Sequence, residues 1–294
     1  MDLPAIGFIG IGAMGEPMSL ALLRAGYSVT SCAHRNRERL DRVRAQGVRE
    51  VANPAAVADA SDVVITCVPD APQVEEALFG PGGAAEGARP GTTFIDMSTI
   101  SPVASRGFAE RLLASGLHFL DAPVSGGPVR AASGTLTIMV GADPDDLARV
   151  EPILKAMGTP HHVGAVGLGE TVKLVNQLII SSVMIANVEA LTFARKAGAE
   201  LDAVRKVLST ATASNYLLEQ WLPKTWFAGT FEGGFALDLL RKDLGAALDA
   251  ARAMKMPLPA SAFAYQLYTL QSAKGDGALD YSAVAKFYEH VVGE

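Results

Sequence analysis

Cysteine, charge and aromatic side chains are all scarce in this 294-residue chain, and each scarcity removes a class of protein. The two cysteines, Cys32 and Cys67, fall at predicted strand ends with another strand expected between them, beyond the reach of a disulfide. Neither has a second cysteine or a histidine at metal-ligand spacing, so no metal centre is expected and the thiols read as reduced. Charged residues make up only 19%, with 25 basic against 31 acidic side chains and a net charge of −6. Apart from residues 35–39 there is no basic run, which argues against a nucleic-acid or anionic-membrane partner. No charged leader precedes the first apolar run, so a cytoplasmic location is expected. Repeats and low-complexity tracts are missing too.

What the chain does have is apolar residues, at 49%, and enough length to favour two domains over one. Short apolar runs at 5–9, 28–31, 63–68, 93–96, 118–121, 136–140 and 161–163 read as strands. Helix-length patterns at 14–25, 37–45, 73–78, 103–114 and 144–157 separate most of them, which predicts a Rossmann-type α/β domain with a parallel sheet. From Gly167 onward the strand signal stops and helical patterns take over, at 171–197, 201–211, 217–225, 239–253, 260–274 and 282–292. A helix over 171–197 would be about 40 Å long and would form the spine of an all-α domain. Gly164, Gly167 and Gly169 interrupt both patterns, and the expected division is 1–164 and 165–294. Residues 174–191 are apolar enough to raise the question of a membrane span, but Asn176, Gln177, Ser181, Ser182, Asn187 and Glu189 favour a buried helix instead.

The strand that opens the chain runs into Gly10-Ile11-Gly12-Ala13-Met14-Gly15 and then a helix. That context raises a weak glycine pattern to a dinucleotide-binding fingerprint. Gly10 permits the tight turn, Gly12 lets the backbone approach a pyrophosphate, and Gly15 lets helix and strand pack closely. The helix start offers free amides and the positive end of its dipole to the phosphates. Where an NAD site usually places a carboxylate, the second strand is followed by His34-Arg35-Asn36-Arg37. A guanidinium there suits a 2′-phosphate, which predicts NADP(H) as the preferred cofactor with NAD(H) still possible. Exposed arginines at a helix start are the other reading of Arg35 and Arg37.

Lys173 sits among Val172, Leu174, Val175, Leu178 and Ile179, which the helical pattern predicts to be buried, and Asn176 follows one turn later. A lysine on the polar edge of an amphipathic helix is the ordinary alternative. An ammonium drawn into apolar surroundings is costly, and burial favours its neutral form.

Four separated blocks resemble the β-hydroxyacid dehydrogenase family, which includes 3-hydroxyisobutyrate dehydrogenase and tartronate semialdehyde reductase. They are Gly7 to Gly15 with Pro17-Met18; Asp121-Ala122-Pro123-Val124-Ser125-Gly126-Gly127 with the run from Gly134 to Gly141; Gly169 to Asn176; and Lys242-Asp243-Leu244. The resemblance implies a dinucleotide-binding domain followed by a helical one, with the active site in a cleft between them. It also implies Lys173 as catalytic acid/base, with Asn176 assisting it and hydrogen-bonding substrate. Ser125, Gly126 and Gly127 would hold the substrate carboxylate. Val68, Pro69, Thr99 and Lys242 would join the glycine loop, Arg35 and Asn36 around the cofactor, and Asp243 would line the cleft or hold the lysines in place. Gln177, where many members have a second asparagine, resembles the tartronate semialdehyde reductase branch and joins the substrate-binding set; the tail Asp280-Tyr281-Ser282-Ala283 with Tyr288-Glu289 also looks similar to that branch. Arg130 either meets a second acidic group on the substrate or starts a helix.

The expected chemistry is interconversion of a small β-hydroxy acid and its semialdehyde by hydride transfer, with an ammonium stabilising the developing alkoxide and supplying its proton. Lys242, as a like charge, would add to the downward push on the Lys173 pKa. A non-catalytic dinucleotide-binding scaffold and an imine reductase of similar fold are the alternatives; the presence of Lys173 argues against both. Apolar residues on more than one face of the helical half, together with the resemblance, predict a homo-oligomer, a dimer or a tetramer.

Overall fold

The computed structural model describes residues 3–33, 37–232 and 234–292. The chain forms two compact units, Met1–Lys173 and Leu174–Glu294.

In the first unit, nine strands among the described residues form one sheet. They are β1 (Ile6–Ile9), β2 (Val29–Cys32), β3 (Arg49–Val51), β4 (Val63–Thr66), β5 (Thr93–Asp96), β6 (His118–Asp121), β7 (Val124–Ser125), β8 (Leu136–Gly141) and β9 (Gly158–Gly164). Their order is β3-β2-β1-β4-β5-β6-β8-β7, with β9 also paired to β8. The helices of this unit are α1 (Gly15–Arg24), α2 (Arg37–Arg44), α3 (Pro54–Asp59), α4 (Ala71–Phe79), α5 (Ala84–Gly87), α6 (Pro102–Leu113), α7 (Gly127–Ala132) and α8 (Pro144–Met157). The middle residues of the central strands are apolar because both faces are covered. Ile6 and Phe8, Val63 and Ile65, Ile95 and Leu120 enter one core layer. Ile9, Val64, Phe94 and Phe119 enter the other, as the period-2 alternation of a strand requires.

The expectation of a parallel sheet holds from β3 to β6 and then needs correction. β8 runs antiparallel to β6 and to β7. Between β6 and β8 the chain forms β7 and the six-residue α7, and returns along β8 antiparallel to β7 instead of making a parallel crossover. Cys32 ends β2 while Cys67 follows β4, with β1 between them, and both thiols are free. Burial pushes them up to about 11 and about 12, so both stay protonated near neutrality.

The second unit is helical. The long helix α9 (Leu168–Lys196) starts in the first unit and runs on into the second. It is followed by α10 (Leu201–Leu208), α11 (Leu237–Ala253), α12 (Pro259–Gln271) and α13 (Ala285–Val292). Met184, Val188, Leu191, Leu218, Leu240, Leu244 and the fully buried Tyr268 belong to one core. Asp280 is buried and accepts from Trp221 Nε1 at 3.0 Å, Phe235 N at 3.1 Å, and the amide and hydroxyl of Ser282. Asp280 thus ties the tail segment to Trp221 and Phe235.

The burial pattern of α9 corrects one expectation. Val172, Val175 and Ile179 are not inside; they are 38%, 48% and 57% exposed. The buried face of the helix instead carries Glu170, Lys173, Leu174, Gln177 and Ser181. By length and composition α9 would cross a membrane, but a single such helix is equally the mark of a soluble core helix, and Glu170, Lys173 and Glu189 lie along it.

Close packing of α1 on β1 depends on Gly15, where a Cβ would overlap the Gly10 carbonyl oxygen and reach Phe8 at 2.9 Å. Gly15→Ala is expected to cost about 1–3 kcal/mol of stability, the usual range for overpacking. Urea unfolding checks this, and an unchanged midpoint would contradict it.

Candidate functional site

The parallel strands β1, β4, β5 and β6 end along one edge of the sheet, and their loops carry most of the sequence-predicted residues. Chain order reverses between β1 and β4, and in open α/β sheets ligands bind at that reversal, beyond the carboxyl ends of the strands. Gly10 has φ +106°, and a Cβ there would overlap the Cys67 carbonyl, so the loops after β1 and β4 meet through it. Gly12 differs: nothing lies within 4 Å of where its Cβ would be, so the chain itself does not require glycine there. Open space beside the start of α1 is what a pyrophosphate would occupy, and the residues present fit a dinucleotide. Ala13 is exposed, Met14 caps α1, and the side chain of Ile11 belongs to the core, leaving its backbone to the loop.

Asp96 orders the neighbouring loops. Its Oδ1 accepts from Thr66 Oγ1 at 2.8 Å and from Ser98 Oγ at 2.6 Å, while Ser98 Oγ in turn accepts from Val68 N at 3.0 Å. Val68 is therefore held by a network that begins at the buried Asp96, with Pro69 and Thr99 next to it in sequence. The next carboxylate along the edge, Asp121, sits in register with Asp96 and is fully buried. It accepts from Gly167 N at 2.6 Å and Glu170 N at 2.7 Å. Burial, helped by the nearby Asp96 charge, outweighs the two amides that pull its pKa down, and the carboxyl is raised to about 6.

Ser125 lies in β7, opposite Thr137 of β8. Gly126 and Gly127 follow with φ +135° and +68°, backbone that only glycine adopts readily. Arg130 is exposed, and its Cβ and Cδ lie 2.8 Å from where a Gly126 Cβ would sit, so its stem covers that turn. Lys173 is 7% exposed, one turn beyond Glu170 on α9.

The helical unit holds the remaining predicted residues in one hydrogen-bonded chain. Asn176 Nδ2 donates to Gln177 Oε1 at 2.9 Å, and Gln177 Nε2 donates to Asp243 Oδ2 at 2.7 Å. Asp243 Oδ1 pairs with Lys242 Nζ at 2.9 Å. Gln177 and Asp243 are buried, Asn176 is half-buried, and Asp243 holds Lys242 and Gln177 together.

Arg35 and Asn36 lie outside the described residues. Arg37 is described and is engaged elsewhere, donating both guanidinium nitrogens to Glu50 and pairing with Asp41 at 3.1 Å. Glu16, at the start of α1, accepts from Arg39 and Arg42, whose guanidiniums hold its carboxyl below the usual range. Sequence reasoning missed Asp96, Ser98 and Glu170, and gave Asp121 no role of its own. An Asp at the end of each of two adjacent strands was the available signal.

Residues 5–170 match the family model described as the NAD binding domain of 6-phosphogluconate dehydrogenase. Residues 167–288 match that described as NAD-binding of NADP-dependent 3-hydroxyisobutyrate dehydrogenase. The chain is 39% identical to 2-(hydroxymethyl)glutarate dehydrogenase of Eubacterium barkeri, over 98% of this chain and 96% of that one. It is 40% identical to 2-hydroxy-3-oxopropionate reductase of Escherichia coli, over 97% of each. Among solved structures, a 3-hydroxyisobutyrate dehydrogenase of Mycobacterium tuberculosis, determined with L-serine, superposes with a TM-score of 0.90 at 33% identity, covering 97% of this chain and 99% of that one. With matching family models from end to end, a fingerprint loop built to receive a dinucleotide and a buried lysine on the long helix, the chain belongs to the β-hydroxyacid dehydrogenase family of NAD(P)-dependent oxidoreductases.

Proposed function

We propose that this protein interconverts a small β-hydroxy acid and its semialdehyde, with NADP(H) preferred over NAD(H). The relatives' names support the substrate class. 2-(Hydroxymethyl)glutarate, 2-hydroxy-3-oxopropionate and 3-hydroxyisobutyrate each place an alcohol or aldehyde carbon β to a carboxylate. The observation that carries the mechanism is the burial of Lys173 on α9. Gly10 to Gly15, Val68, Pro69, Thr99, Lys242, Arg35 and Asn36 hold the cofactor, which supplies or takes the hydride. Ser125, Gly126 and Gly127 hold the substrate carboxylate, whose oxygens can approach closely because the glycines carry no side chains. Lys173 donates a hydrogen bond to the reacting oxygen and passes it a proton in reduction, taking one back in oxidation. Asn176 assists Lys173 by orienting that oxygen, while Gln177 bonds Asn176 and supports the substrate from behind. A scaffold or imine reductase reading is not favoured, since these relatives of a third or greater identity are hydroxy acid dehydrogenases and reductases. The protein is proposed to work in the cytoplasm.

Lys173→Ala is expected to lower turnover by about 10²–10⁴-fold, the usual share of a general acid. NADPH binding, followed by the nucleotide's fluorescence, should hardly change. Turnover within a few-fold of the parent would remove Lys173 from the mechanism.

Arg35→Asp is expected to shift preference from NADP to NAD, because a carboxylate repels the 2′-phosphate and accepts from a ribose hydroxyl. The absence of a carboxylate after β2 motivates this, as does the engagement of Arg37 by Glu50. The ratio of the two kcat/KM values is the measurement, and an unchanged ratio would rule Arg35 out as the phosphate reader.

Self-association is proposed to involve the outward apolar positions of the helical unit, Val175, Ile179, Phe193, Phe263 and Leu270. A stable symmetric interface would bury about 1,200 Å² or more in total. Light scattering at micromolar concentration should give a dimer or tetramer; a single species near 30.7 kDa would exclude both.

A further inference from the structure

Where α9 begins, the cap on its free amides comes from outside the helix. The Asp121 carboxylate, at the end of β6, accepts from Gly167 N and Glu170 N with one oxygen each. Glu170 then reaches in another direction, its Oε2 accepting from Ile100 N at 3.1 Å, in the loop that carries Thr99. Both carboxylates are fully buried. The helix start is pressed tightly onto the sheet: a Cβ on Gly169 would lie 2.7 Å from Asp121 Oδ2 and would overlap the Met139 carbonyl. A slide of α9 by one residue would move its start by about 1.5 Å and turn it by about 100°, breaking all three bonds at once.

We propose that Asp121 and Glu170 are positioning residues for Lys173. They form a clamp of two carboxylates that fixes the axial position and rotation of the first turn of α9, through Lys173, against the sheet edge and the Thr99 loop. This rests on the reading of Lys173 as the acid/base. Lys173 follows Glu170 by three residues, so the register set at Gly167 and Glu170 is transmitted through a single turn of helix. Small errors of placement at a proton-transferring group are expensive in rate, whereas binding of a cofactor, spread over several loops of which the clamp touches one, tolerates them.

The test is a double-mutant cycle. Asp121→Asn keeps the shape but turns an amide N–H toward one of the two donors. Glu170→Met keeps the length and removes the acceptor for Ile100. Each is made in the parent and in Lys173→Ala, with kcat, KM, NADPH affinity and thermal unfolding measured. The expected result is a fall in kcat of about ten-fold or more in the parent, with NADPH affinity within about two-fold. In the Lys173→Ala background the same changes should cost less than about two-fold, because a residue acting through Lys173 has nothing left to act on. Equal losses in both backgrounds, or an unchanged kcat in the parent, would overturn the clamp. If Asp121→Asn does not fold, Glu170→Met gives the same reading alone. A Lys173→Ala protein with near-parental turnover would overturn the reading of Lys173 and the clamp with it. A slow Lys173→Ala protein beside full losses from the clamp variants would overturn the clamp only.

Discussion

The two hydrogen bonds from Gly167 and Glu170 to the buried carboxylate of Asp121 hold the rest of the arrangement in place. They settle where the long helix starts and which way its first turn, ending at Lys173, faces. A carboxylate without partners in such a setting would be costly, but here both oxygens accept amides that a helix start would otherwise leave unbonded. Along its length the helix buries Glu170, Lys173, Gln177 and Ser181 and exposes Val172, Val175 and Ile179. Propensity and periodicity alone would favour the opposite face.

The same device recurs along the sheet edge. Asp96 gathers Thr66 and Ser98, and through Ser98 the amide of Val68, so the loops after β4 and β5 form one polar unit. In the helical unit Asp243 gathers Gln177 and Lys242, and Asp280 gathers Trp221, Phe235 and Ser282. Each buried acid serves several donors, as low-dielectric surroundings demand. A chain with few charged residues has placed several of its acids where they organise loops rather than surfaces.

Much of the fold was legible because β1 and β4 are nearly continuous apolar runs and α8 begins with a capping Asp and a proline. β3 was not, since Arg49-Glu50-Val51 is a sheet-edge strand with no apolar run to announce it. β7 has two residues and α7 follows a pair of glycines, which read as a turn. Lys173 stood out because a charge interrupted an apolar pattern, yet that same pattern misassigned the side on which Val175 and Ile179 lie. The partners of Asp121 were out of reach for a different reason: they come 46 and 49 residues later, and nothing local marks an aspartate as a cap for a distant helix.

Both tryptophans of the chain, Trp221 and Trp226, belong to the helical unit. Each indole N–H is bonded to a carboxylate near the C-terminus, Trp221 to Asp280 at 3.0 Å and Trp226 to Glu289 at 2.6 Å. Light absorbed by indole therefore reports on one half of the molecule only. A denaturation curve read by tryptophan emission follows the helical unit, while loss of the sheet passes unseen unless circular dichroism or bound nucleotide is followed alongside. The two signals part company wherever the units melt separately, so the chain carries its own internal probe of whether its halves unfold as one.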